Sequence, residues 1–144
     1  MQLFIFSFAA TLEVKNISVV IYNQDMGQHG HEIIHRINGS STFSKVIFIQ
    51  SDSELSSYID QQHAIAAIHI PKNFSRCIEA GNTATLQIIL DGRRSNAAQI
   101  VSGYIIQIAN AYNQEIMENR SITSFSTITI DRNWFNENLL YLWF

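Results

Sequence analysis

The chain reads as an α/β fold, a layered sandwich with a mixed, mainly parallel five-stranded sheet flanked by helices. Three observations carry that reading. Strand-like and helix-like patterns alternate along the chain, as they do when helices pack on a largely parallel sheet. One proline and no low-complexity run interrupt that order, so no interdomain linker stands out. A length of 144 residues with 47% hydrophobic residues suffices for one domain with a real core.

The elements follow in order. Ile17 to Tyr22 is β-branched and bounded by Asn16 and Asn23, which predicts a strand. Asp25, with Gln28 three residues later, is expected to cap a helix running to about Asn38, and Gly39 to supply a left-handed stop. Val46 to Ile49 reads as the second strand. Ser51-Asp52-Ser53-Glu54 is a capping box opening a helix through about Gln61. Ala64 to Ile70 is a third, fully buried strand. Pro71 then takes the first position of a short helix, Lys72 to Ala80, stopped by Gly81. Thr85 to Leu90 is the fourth strand, closed by Asp91-Gly92. Asn96 and Gln99 open the longest helix, to about Glu118, with an apolar stripe at Val101, Ile105, Ile108, Tyr112 and Ile116. Its other side, Gln99 to Gln114, is polar but uncharged, which hints at a contact surface. Thr123 to Ile130 alternates like a half-exposed edge strand.

Composition excludes several functions. Charged residues are only 15%, the net charge is −3 and no Lys/Arg run exists, so nucleic acid is a poor partner. Sixteen aromatic residues, nine of them Phe, argue against disorder. Cys77 is alone, which excludes a disulfide scaffold and suits an oxidising compartment. Both ends are apolar. Met1 to Leu12 carries no charge but is too short to cross a bilayer, which needs about 20 residues. Leu139 to Phe144 is apolar and aromatic, as at a membrane interface. The ends therefore fit either a domain cut out between two membrane helices or segments packed on the core.

The sharpest chemical motif is His31-Glu32-Ile33-Ile34-His35. Histidines four apart on a helix share a face and can hold zinc while the glutamate activates water. A third ligand at the right spacing is missing, so the competing reading is an amphipathic helix with Ile33, Ile34 and Ile37 inward. His29, His31 and His35 could also take up metal adventitiously. Arg93 and Arg94, just before a helix start, are candidates for an anion or lipid headgroup, or else a solvated turn. Cys77 reads as a small buried hydrophobe. There is no G-x-S-x-G elbow and no glycine-rich phosphate loop.

One ensemble of residues goes further. It comprises Asn23-Gln24-Asp25, Ile70-Pro71-Lys72-Asn73-Phe74-Ser75, Glu79-Ala80-Gly81, Leu86-Gln87, Asp91-Gly92, Asn96-Ala97-Ala98-Gln99-Ile100, Gly103-Tyr104, Tyr112-Asn113 and Trp134-Phe135-Asn136. Together these resemble the large extracytoplasmic domain of ABC-2 type transporter permeases, over about residues 12 to 144. The chain departs from that pattern at Arg93-Arg94 and at Glu137, where the family often has proline. The resemblance implies a domain between the first and second membrane helices: residues 1–11 the tail of one, 12–138 the α/β domain, 139–144 the start of the next. It implies a non-catalytic part of an exporter in the inner (plasma) membrane, lying on the periplasmic or extracellular side and needing no cofactor. The substrate would be drug-like, a lipid or similar. The implied partners are a separate ATPase subunit, a second permease subunit and a periplasmic adaptor. Asp25, Pro71, Phe74, Gly81, Asp91, Gly92, Asn96 and Tyr104 are the motif-bearing positions, readable as caps, turns and core. Two rivals remain: a small-ligand-binding or sensor domain, which would show a concave apolar pocket with convergent polar groups beyond the first and third strands, and a zinc hydrolase using His31 and His35.

Overall fold

The computed structural model describes residues 17–119 and 128–135. The expected membrane-helix tails at 1–11 and 139–144, the domain limits at 12 and 138, and Asn136 and Glu137 lie outside the described residues. The elements are β1 (Ile17–Asn23), α1 (Gln28–Asn38), β2 (Phe43–Ile49), α2 (Asp52–Asp60), β3 (Ala66–Ile70), α3 (Phe74–Glu79) and β4 (Ala84–Asp91). A single 3-10 turn (Gly92–Arg94), α4 (Ser95–Asn119) and β5 (Ile128–Phe135) follow.

The strand order is β2-β1-β3-β4-β5. β1 pairs in parallel with β2 and β3, β3 is antiparallel to β4, and β4 is parallel to β5. The sheet is therefore mixed, and helices flank it. Strands β2-β1-β3-β4 carry the described core, and β5 runs beside β4 as the edge. The last strand also sits later than its alternation predicts. Its register, Ala84 with Ile128 through Asp91 with Phe135, is set by β4 rather than by its own pattern. Residues 123–127 of the expected strand lie outside the described residues.

Period-two alternation divides the core. Val19 and Ile21 of β1, Ile68 and Ile70 of β3 and Leu86, Ile88 and Leu90 of β4 face one side. There they meet Ile33 and Ile37 of α1, Phe74 and Ile78 of α3, and Val101, Ile105 and Ile116 of α4. Val20 and Ala67 point to the opposite face, where Leu55 and Ile59 of α2 cover them with Ile49 and Ala64. Strands β1 and β3 are thus buried on both faces, which is why they read as continuous apolar runs.

Several local expectations are corrected. Gly27, not Asp25, stands at the N-cap of α1, and no side chain caps from that position. Gly39 has φ −80°, so α1 ends without a left-handed residue; its N–H bonds back to the His35 carbonyl. Ser51 is the N-cap of α2, but its hydroxyl meets Glu54 Oε1 at 3.2 Å instead of a backbone N–H. Pro71 precedes α3 rather than opening it: the Phe74 N–H donates to the Pro71 carbonyl at 3.1 Å, forming a turn first. Gly81 is the left-handed stop expected, with φ 76°. Its N–H bonds Ile78 O at 3.1 Å, and the Asn82 N–H bonds Cys77 O at 2.8 Å, the pairing of a Schellman motif. On α4 the buried stripe takes Ala109 where Ile108 was expected, and it includes Ser102.

Candidate functional site

Open α/β sheets bind ligands beyond the strand C-termini, where successive connections leave in opposite directions. In the order β2-β1-β3 that point lies between the ends of β1 and β3. Here the chain fills the crevice with its own groups. The Gln24 N–H donates to Ile70 O at 3.0 Å, tying the two strand ends together. Asp25 follows at 3% exposure. Its carboxylate accepts the Ser75 hydroxyl at 2.5 Å, the Ser75 N–H at 3.3 Å and the Gly30 N–H at 3.2 Å. The Ser75 oxygen in turn accepts the His29 N–H at 3.0 Å and the Gly30 N–H at 3.3 Å.

The free N–H groups at the start of a helix are a ready anion site. In this chain Asp25 and Ser75 occupy that place. Gly27 and Gly30 leave the room: a Cβ would lie 2.2 Å from Ser75 Cβ at Gly27 and 2.5 Å from Asp25 Oδ2 at Gly30. Ser75 is 4% exposed, donates a hydrogen bond to Asp25 and accepts two backbone N–H groups, so the pair ties the start of α1 to α3 as a structural latch. The sequence reading places Ser75 only in the family-like ensemble and gives Gly27 and Gly30 no such role, although two glycines three apart across a helix start are a visible signal of close approach.

On the other face, beside α2, lies an open hollow of about 420 Å³ lined by Tyr22, Gln24, Leu55, His69, Gln87 and Ile89 among others. Its polar groups answer one another. His69 Nδ1 lies 3.2 Å from Gln87 Oε1, and Nε2 lies 2.9 Å from Gln24 Oε1. Gln24 Nε2 donates to the Tyr22 hydroxyl at 2.9 Å, and the Tyr22 ring stacks on His69 at 5.0 Å. Groups paired in this way do not converge on a ligand, so the hollow lacks the arrangement the ligand-binding rival requires.

The remaining candidates are dispersed. Arg93 is engaged within the chain. Its Nε meets Asp91 Oδ1 at 3.0 Å, and its Nη2 donates to Ile59 O at 2.7 Å and to Asp60 O at 3.2 Å. It therefore closes the C-terminus of α2, while Asp91, fully buried, also accepts the Arg93 N–H. Arg94 is exposed beside it. His31 and His35 are exposed on α1. Glu32 is bound by Arg36 Nε at 2.8 Å, and His29 Nδ1 lies 2.6 Å from the Tyr112 hydroxyl. The zincin geometry is therefore not assembled, and among the described residues no three His, Cys, Asp or Glu side chains come together. Arg36 also bonds Glu115 and lies 4.7 Å over the Tyr112 ring, linking α1 to α4. The Glu115 bond, more than any other, holds the Arg36 pKa above its ordinary value.

Of the motif-bearing positions, Phe74 is core and Pro71 and Gly81 shape the ends of α3. Asn96 and Tyr104 are not core: both are exposed, Tyr104 at 37%, because they fall on the outer side of α4. Gly92 is exposed in the 3-10 turn.

No described helix is long and apolar enough to cross a membrane. The family model for ABC-2 family transporter proteins matches residues 1–144. The chain is 43% identical over 143 residues to YbhR of Escherichia coli K12, a probable multidrug ABC transporter permease. That alignment covers 99% of this chain and 39% of YbhR. YbhS of the same strain, named likewise, is 27% identical over 136 residues, covering 93% of this chain and 36% of its own. The chain thus spans about two-fifths of the length of these relatives. Among solved structures, a domain assigned to an ABC type-2 transporter of Thermotoga maritima MSB8 superposes with a TM-score of 0.57 at 18% identity. It covers 85% of this chain and 94% of that domain, so the two share a fold. Matched over its whole length, the chain belongs to the ABC-2 family of transporter proteins.

Proposed function

We propose that this chain is the extracytoplasmic domain of an ABC exporter permease subunit, lying between the first and second membrane helices. One observation carries the reading: nearly all of this chain aligns at 43% identity with only 39% of a permease. The domain itself is non-catalytic. Its crevice is closed by Asp25 and Ser75, and the polar groups of its second hollow are spent on each other. ATP hydrolysis belongs to a separate ATPase subunit, and a second permease subunit completes the path. The domain contributes to export of a drug-like, lipid or similar substrate through docking, gating or dimerisation. A periplasmic adaptor protein is the docking partner this reading implies. The outer face of α4 is suited to such contacts: it carries no charge from Asn96 to Gln114 and exposes Ile100 and Tyr104.

The test is topological. Lys72, exposed in the turn after β3, is changed to Cys in a full-length protein whose native cysteines, Cys77 among them, are replaced by Ser. A membrane-impermeant maleimide is then applied to cells with an intact plasma membrane and an opened outer envelope. Labelling of alkali-resistant, membrane-bound protein is expected. Labelling only after the plasma membrane is broken would overturn the assignment.

A further inference from the structure

We propose that His31 and His35 form a two-histidine site for a divalent transition metal on the outer face of α1. Both side chains are exposed. Four residues apart on a regular helix, they stand one above the other with Cβ atoms about 6 Å apart. The distinguishing detail is the His31 ring. Its Nδ1 lies 2.8 Å from the Gly27 carbonyl oxygen. A carbonyl only accepts, so Nδ1 carries the proton and the Nε2 lone pair is the one left to bind a metal. Ligating imidazoles are oriented in this way, the second ring nitrogen donating to a backbone carbonyl.

The surroundings favour a cation. His35 lies in the last turn of α1, where the helix dipole is negative. Gln28, His31, His35 and Asn38 share a stripe that holds no lysine or arginine. Arg36, the nearest cation in sequence, is engaged by Glu32 and Glu115. Glu32 is held by Arg36 in that way, so the proposed site consists of the two imidazoles. Two imidazoles suit Cu²⁺, Ni²⁺ or Zn²⁺, and the other coordination positions are left to water. The inference does not depend on the exporter reading.

The test is a Cu²⁺ titration of the full chain, followed by electron paramagnetic resonance, with Zn²⁺ as competitor. One equivalent bound with a two-nitrogen hyperfine pattern and displaced by Zn²⁺ is expected. His31→Ala and His35→Ala should each weaken binding by about tenfold or more, since the chelate is lost. His35→Gln guards against a helix effect and should weaken binding equally, while His63→Ala should not. Binding that survives both His31→Ala and His35→Ala, or a signal from a single nitrogen, would overturn the site. So would equal loss in His29→Ala.

Discussion

Asp25 and Ser75 lie 50 residues apart and are joined by a hydrogen bond in a buried site. The carboxylate is taken out of water, so its stability rests on the three groups that donate to it. Ser75→Ala removes one of those donors and takes an acceptor from the His29 N–H. A cost of about 1–3 kcal/mol is expected, read as a lowered urea midpoint at an unchanged slope. Asp25→Asn is expected to cost at least as much, because an amide turns one of its edges into a donor facing donors. Exposed Ser56→Ala is the control and should stay within about 0.5 kcal/mol of wild type. If Ser75→Ala behaves like Ser56→Ala, the latch contributes nothing. Only part of this was legible. An aspartate three residues before the first residue of a helix looks like a local cap. Its true partner comes from the α3 turn, and a partner so distant in the chain leaves no local pattern.

Two helices end in the same geometry with different residues. After α3 the left-handed position is Gly81, at φ 76°; after α2 it is Gln62, at φ 59°. The α2 end has the same hydrogen bonds, Gln62 N–H to Ile59 O at 3.0 Å and His63 N–H to Tyr58 O at 2.9 Å. A side chain in that conformation costs about 1 kcal/mol that glycine avoids. Gln62→Gly is therefore expected to raise stability by up to about 1 kcal/mol, and Gly81→Ala to lower it by a similar amount. Thermal melts of both variants decide it, and a destabilised Gln62→Gly would contradict the reading. Arg93 explains how α2 tolerates its ending, since the guanidinium binds the carbonyls of Ile59 and Asp60. Gly81 was readable because glycine announces a stop. The role of Arg93 was not, because its acceptors lie 33 and 34 residues away and belong to backbone.

At the scale of the molecule the two faces of the sheet are unequal. Among the described residues, one is covered by α1, α3 and α4 around a continuous core, the other by the nine residues of α2, which bury Leu55 and Ile59. The alternation of β-branched runs with helical stretches was enough to predict layers and parallel pairing, and the motif ensemble was enough to suggest the family. It could not show which face each helix covers. That follows from the order β2-β1-β3: the link from β2 to β3 must pass β1, and α2 takes it across the face opposite α1. Opening free energy should follow the same asymmetry. Amide exchange is expected to be slowest at Val19–Ile21 of β1 and Ala66–Ile68 of β3, which are buried on both sides and paired on both edges. Among the helices longer than α3, α2 should exchange fastest, ahead of the buried side of α4. An α2 protected as strongly as β1 would mean that a further surface covers it. That result would move the search for a docking partner from the outer face of α4 to the α2 side of the sheet.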